Sequence, residues 1–271
     1  MAKIAVELDR VPETLLWTLY HRAVEARRPG AVLDDRLAVE LVERIDFPFR
    51  ERFGDGERFS QWQALRARCF DGAVGRFLSH HPDGTVVALG EGLETQFWRV
   101  DNGRVRWLTV DLPEVVELRQ SLLPHDSRAR VIASSALDPG WLDDVGDAAG
   151  VLITAQGLLM YFTRDEVHCL IARCAARLPG QALVFDVVPR WLMVRSQKGE
   201  LAASGYHPPP WSWGFDREEE RRLRRLPGVL KLERLRLPFG RGAVHGLVLP
   251  VVARLPVLHG LVLTIHRARF G

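Results

Sequence analysis

Two hydrophobic periods divide the chain. Over the first 80 or so residues, apolar side chains recur at helical spacing. Leu15, Leu16, Leu19, Ala23 and Ala26 predict a helix over 12–27, broken by Pro29-Gly30. Asp34 is placed to cap a second helix running to Ile45, and Gln61 to Leu78 predicts a third, which carries Arg66, Arg68 and Asp71. Pro48 to Gly56 reads as loop and Pro82-Asp83-Gly84 as a turn. From Val86 onward short apolar runs alternate with amphipathic ones. Strands are expected at 86–89, 106–110, 131–133, 151–155 and 182–188, with helical stretches such as 141–145 and 164–177 between them. That alternation predicts an α/β, doubly wound, mostly parallel sheet with both faces covered. The tail changes character: a stiff aromatic loop at Tyr206 to Gly214, a charged helix at 216–226, and closing strands at 229–237 and 260–266, the last one antiparallel. One domain, 1–271, is expected, with a helical N-terminal extension (1–85), a core (86–188) and a loop with closing strands (189–271).

Composition narrows the class. The 271 residues are enough for one full core, and 47% hydrophobic with 26% charged content is ordinary for a soluble globular protein. The net charge is only +3, so no basic stripe for nucleic acid is expected. Arg221, Arg222, Arg224 and Arg225 sit beside Glu218 to Glu220 and fit a solvated helix face. Cys69, Cys169 and Cys174 have neither metal spacing nor a disulfide framework, which fits a reducing cytoplasm and no metal. Lys3, Glu7, Asp9 and Arg10 leave no apolar signal core. Val244 to Ile265 is apolar, but Pro250, Arg254, Pro256 and His259 interrupt it, so no membrane span is expected.

The chemistry centres on Val86 to Arg99, VVALGEGLETQFWR. An apolar run, then Gly90-Glu91-Gly92, then an amphipathic run make a strand, a tight turn and a helix. Such a turn brings bare backbone to a ligand and aims helix N–H groups at it. After the next apolar run, about 20 residues on, stands Asp111, an acid placed to accept ribose hydroxyls. The third glycine of a dinucleotide fingerprint is missing, since Thr95 stands there, which weakens a nicotinamide-enzyme reading.

These stretches, with TLLWTLYHRAVEA, LDDRLAVELVERID, LRARCFD, LTVDLPEVVELRQSLLP, SSALDPGWLD, ITAQGLLMYF and ALVFDVVP, resemble the family that joins leucine carboxyl methyltransferases to TcmP-type polyketide O-methyltransferases. The resemblance implies a class I, Rossmann-like methyltransferase that uses S-adenosyl-L-methionine (SAM) and releases S-adenosyl-L-homocysteine (SAH). It implies that Arg66 grips the methionine carboxylate and that Gly90, Glu91 and Gly92 form the turn beneath the methionine end. It further implies that Asp111, followed by Leu112, binds ribose, that Ser135 and Ala136 meet adenine, and that Gln156 lies beside the methionine portion. Asp111 doubles as a candidate helix N-cap. The chain departs from the family's pattern at Glu91, at Glu94 and Gln96, at Ser135 and at Gln156, where a glutamate is usual. Glu91 adds a carboxylate able to face the sulfonium or ammonium.

Methyl transfer from a sulfonium is a direct displacement, helped by proximity and exclusion of water. A carboxylate acceptor needs no base; a phenol or alcohol does. His207, His21 and His245 are the candidate bases. Tyr206 and the aromatic loop, with the N-terminal helices as a lid, are the candidate acceptor pocket for a flat small molecule. Tyr161 and Trp98 are expected to pack at the crevice. Monomer and homodimer both stay open. So do two other functions: a protein C-terminal carboxyl methyltransferase, and a repurposed member that binds cofactor or acceptor without transfer.

Overall fold

The computed structural model describes residues 3–6, 12–146, 150–201, 206–242, 245–246 and 262–271. In chain order the elements are β1 (Ile4–Ala5), α1 (Glu13–Ala26), α2 (Arg36–Arg44), β2 (Ile45–Asp46), α3 (Phe49–Phe53), α4 (Glu57–His80), β3 (Thr85–Leu89), α5 (Gln96–Val100), β4 (Arg106–Asp111), α6 (Pro113–Leu122) and β5 (Ala129–Ala133). Then follow a 3-10 turn at Pro139–Val145, β6 (Val151–Ala155), a second at Leu159–Tyr161, α7 (Arg164–Arg177), β7 (Ala182–Val187), α8 (Arg190–Gln197), α9 (Arg217–Leu223), β8 (Val229–Leu235) and β9 (Thr264–Phe270).

The main sheet has seven strands in the order β5-β4-β3-β6-β7-β9-β8. The five core strands are parallel, and β9 runs antiparallel to both β7 and β8. Alternation along a strand sends successive side chains to opposite faces. Accordingly Val86 and Ala88 pack under α4 with Phe70, Val74, Phe97 and Trp107, whereas Val87 and Leu89 join Ile153, Leu183, Phe185 and α7 on the other face. A third cluster unites α1, α2 and α3 with Leu93, Leu118, Leu122 and Tyr206. The N-terminal helices therefore share a core with the turn region and do not stand apart from it.

Several boundaries differ from the sequence reading. Asp35, not Asp34, caps α2, its Oδ1 accepting the Ala38 N–H at 3.1 Å. The expected loop at 48–56 holds the short helix α3, whose Phe49 and Phe53 bury against Tyr20. A two-stranded parallel ladder of β1 with β2 interrupts the helical preface, and α8 follows Pro189 where no element was expected. Of the proposed strand at 260–266, only the end belongs to β9, which runs on to Phe270; 260–261 lie outside the described residues, as does most of the apolar stretch from Val244.

Register positions the site. Leu89 pairs with Val110 on one side and Ala155 on the other, and Asp111 pairs with Ala133. The next residues, Gly90, Asp111 and Gln156, therefore leave the sheet at one level, at the carboxyl ends of β3, β4 and β6. That is where ligands bind in open α/β sheets.

Candidate active site

A cavity of about 530 Å³ opens at that level, roofed by α1 and α4 and walled by the 206–211 loop. One end is polar, the other aromatic.

At the polar end, Gly90 and Gly92 adopt φ of +57° and +56°, the left-handed region that glycine tolerates. A Cβ on Gly90 would sit 2.6 Å from Leu158 Cδ1, and one on Gly92 would strike Leu15 of α1. The turn is thus pressed between two apolar side chains. Asp111, buried, fastens it: Oδ2 accepts the Gly92 N–H at 2.7 Å and Oδ1 accepts the Leu112 N–H at 2.9 Å. Burial pushes its carboxyl above the usual range. Asp111 is not the cap of α6; Leu112 occupies that position without a side-chain cap, and Pro113 opens the helix. Leu112, Ser135 and Ala136 all line the cavity. Ser135 Oγ accepts the Leu137 N–H at 3.2 Å, and the Ala136 carbonyl accepts Trp141 Nε1–H at 3.1 Å.

Glu91 corrects an expectation. Its backbone borders the cavity, but its carboxylate tucks beneath the turn. There Oε2 accepts from Arg119 Nη2 at 2.9 Å, Thr109 Oγ1 at 2.5 Å and Trp107 Nε1 at 3.3 Å. The side chain is 3% exposed, so it does not face a bound sulfonium or ammonium.

Arg66 enters from α4. Its Nη1 donates to Asp186 Oδ2 at 3.1 Å, and Asp186 Oδ1 accepts the Gly157 N–H at 2.7 Å. Gly157 has φ of +71°, and a Cβ there would meet Arg66 Nη1 at 2.9 Å, so this glycine makes room for the guanidinium. Asp186 interrupts an otherwise apolar strand, which is the signal that could have marked it as a site residue. Gln156 Nε2 donates to Glu94 Oε2 at 2.8 Å. Glu94 is the hub of a buried network. Arg99 Nη1 lies 2.7 Å from Oε1, Arg22 Nη1 lies 3.3 Å from Oε2, and both arginines also reach Asp35. Burial alone would raise the Glu94 carboxyl, but Arg22 and Arg99 bring it down to about 2. Arg99 also forks onto Asp71 at 2.8 and 3.0 Å, where Gln96 Nε2 donates at 2.9 Å. Arg22, Arg99 and Asp35 were not singled out from the sequence. Arg22 had left a trace, a charged residue on the apolar stripe of α1.

Six buried polar atoms on cavity-lining residues have no hydrogen-bond partner among the described residues: Arg66 Nε, Gln156 Oε1, Gln63 Oε1 and Glu91 Oε1 toward the polar end, and Tyr206 Oη and Trp211 Nε1 toward the aromatic end. Buried polar groups are normally satisfied. A free guanidinium N–H and a free amide oxygen are the complement of a zwitterion, one for a carboxylate and one for an ammonium. The polar end therefore fits the methionine portion of SAM.

The aromatic end is lined by Trp17, Phe59, Trp62, Tyr161, Tyr206 and Trp211. Trp17 and Tyr206 stack at 6.1 Å between centroids. The loop is anchored by Trp213, which is fully buried and donates from Nε1 to Glu219 Oε1 at 3.0 Å, and by Ser212 N–H to the Met160 carbonyl at 2.8 Å. The candidate bases fare differently. His207 is exposed and does not line the cavity, because the loop turns it outward between Tyr206 and Pro208. His21 is buried with Nδ1 2.7 Å from the Trp17 carbonyl, and burial lowers it to about 4. His245 Nδ1 lies 3.0 Å from Gln61 Nε2. Among the described residues no histidine lines the cavity. Trp98 also lies outside it, packed edge-on against Phe97.

A parallel sheet with this turn, this acid and this cavity is the architecture of a class I SAM-dependent methyltransferase. The leucine carboxyl methyltransferase family profile matches residues 16–139. The tetracenomycin polyketide synthesis O-methyltransferase TcmP of Streptomyces glaucescens is 35% identical over 225 residues, covering 83% of this chain and 82% of the relative. The SAM-dependent methyltransferase dpfgK of Gibberella zeae is 32% identical over 184 residues, 62% of this chain and 61% of that protein. A solved structure of a possible exported protein from Bordetella parapertussis matches with a TM-score of 0.50 at 16% identity, covering 97% and 96% of the two chains, a likeness of fold alone. The chain belongs to the leucine carboxyl methyltransferase family, in company with TcmP, and is a SAM-dependent methyltransferase. Among the described residues no helix is long and apolar enough to cross a membrane.

Proposed function

We propose that this methyltransferase esterifies a carboxylate of a flat, aromatic, polyketide-like small molecule. The observation that carries the reading is one cavity joining a zwitterion-fitted polar end to an aromatic chamber that, among the described residues, no histidine lines. Arg66 would hold the cofactor's carboxylate, Gln156 its ammonium, Gly90 and Gly92 would let the backbone approach, and Asp111 would accept from the ribose. Leu112, Ser135 and Ala136 would flank the adenine. When bound, SAM supplies the electrophilic methyl group.

The chain's part is positioning. The Trp17, Trp62 and Trp211 faces hold a planar acceptor with its oxygen toward the polar end, and the N-terminal helices keep water out. A carboxylate is already ionised, so no proton has to be removed, which suits a chamber that no histidine lines among the described residues. Burial raises the phenols of Tyr161 and Tyr206, keeping them neutral and able to donate toward an acceptor oxygen. TcmP, by its name, serves tetracenomycin polyketide synthesis, and the likeness supports an acceptor of that kind.

The test is turnover of paired aromatic acceptors, one bearing a free carboxyl and the other only phenols, with SAM and detection of the added methyl by mass. Ester formation on the first alone is the expected result. Methylation of the phenol at comparable rate would overturn the carboxylate assignment. Methylation only of peptides with a free C-terminus would replace the small-molecule reading altogether.

A further inference from the structure

The polar end carries more negative charge than positive. Arg66 is matched by Asp186 at 3.1 Å and Arg119 by Glu91 at 2.9 Å. Arg22 and Arg99 face three carboxylates, Asp35, Asp71 and Glu94. Asp111 has no cation within ion-pair distance among the described residues. Counted in their ionised forms, the carboxylates around this end of the cavity outnumber the arginines by two, and among the described residues no lysine or histidine lines it. Burying charge without a partner is costly. Burial accordingly pushes Asp71 and Asp111 above the usual carboxylate range. Both of Asp111's hydrogen bonds come from neutral backbone N–H groups, and Arg119, the cation that acts on it, is already paired with Glu91.

We infer that this excess of carboxylates makes the site select the cationic sulfonium cofactor over its neutral thioether product, so that methyl transfer itself weakens the hold on what remains. The inference rests on the cofactor assignment proposed above. The balance is simple. The S–CH₃ bond breaks with its electron pair left on sulfur, and an oxygen lone pair of the acceptor forms the new O–CH₃ bond. Sulfur goes from positive to neutral and the carboxylate from negative to neutral ester. Before transfer the bound sulfonium offsets one of the two unmatched charges; afterwards nothing does. Gln156 takes part as a positioning residue. Its amide nitrogen is tied to Glu94, which leaves the buried, unpartnered Oε1 as a neutral acceptor that adds no further charge.

The experiment is calorimetric titration of the full chain with three ligands: SAM, SAH, and sinefungin, which carries an ammonium in place of the methylated sulfonium. SAM and sinefungin are expected to bind at least tenfold more tightly than SAH, the size of effect for one unit charge roughly 9 Å away at an effective dielectric constant of about 20. Asp111→Asn and, separately, Glu94→Gln should each shrink that ratio severalfold, with circular dichroism checking that the variants are folded. The wild-type ratio alone decides the matter if a variant does not fold. SAH binding as tightly as SAM, or sinefungin binding as weakly as SAH, would overturn the inference while leaving the cofactor assignment standing. Binding of none of the three would remove the cofactor assignment, and the inference with it.

Discussion

The two ends of the cavity are built on different physics. The polar end is held by directed bonds. Four arginines and six carboxylates are buried or partly buried there, and Glu94, Asp35 and Asp71 each meet more than one partner. The aromatic end is held by ring packing and a proline-stiffened loop. Buried ion pairs are poor sources of stability but fix geometry sharply. Ring faces tolerate variation in what they cover. The difference teaches a division of labour: an invariant ligand meets a rigid, charge-defined socket, and a variable one meets a shape-defined chamber.

The strongest break to this division is Glu94→Leu. It strands Arg22 and Arg99 in the interior, and a loss of about 3–5 kcal/mol in unfolding free energy is expected by urea titration. A loss as small as a surface substitution's would show that the network is not what fixes the socket. Arg66→Ala is next. It removes the carboxylate grip without touching the aromatic end, and calorimetry should find SAM binding weakened by roughly a hundredfold, about 2.7 kcal/mol.

The pH response sharpens the same contrast. His21 stands behind the aromatic end with its folded pKa lowered by burial from 6.5 to about 4. The unfolded chain therefore binds the extra proton between those values, and stability should rise with pH through that window, by up to about 3 kcal/mol. Glu94 shifts in the same direction, over a lower pH window. Its folded pKa lies below the unfolded value, so its contribution is complete above about pH 4.5 and is lost as the pH falls toward 2. Urea midpoints of the wild type and of His21→Leu at pH 7 and pH 5 separate the two: the variant should lose most of the difference. An unchanged pH slope would clear His21 of any role.

Smaller effects test the aromatic end. Trp62→Ala should raise the acceptor KM about tenfold while SAM affinity stays put, since about 1.4 kcal/mol is a modest share of one buried ring face. If both affinities moved together, the two ends would not be separable. His207→Ala should change neither kcat nor its pH profile, because the side chain is exposed outside the cavity. A bell-shaped profile lost in this variant would restore it as a base.

Much of this was legible in the chain. The near-continuous apolar runs at Val86–Leu89 and Val151–Ala155, and the glycines between strand and helix, identify the sheet and its turn because burial on both faces leaves few other sequences possible. Asp111 and Gln156 follow from their places at strand ends. Short and irregular pieces were less legible: α3, β1 and β2 have too few residues for a periodicity to show.

By itself the sequence determined the order of strands and helices, the carboxyl-end turn, and the presence of an arginine, an acid and a glutamine in its neighbourhood, since those follow from local patterns. Only the tertiary structure decided which way each side chain turned. Glu91 went under the turn because Arg119 and Thr109 wait there, and His207 went to solvent because the loop's rings fill the interior. Arg22 met Glu94, and Arg99 met Asp35, across more than 60 residues of chain. Such contacts depend on the packing of distant elements, and no local spacing encodes them.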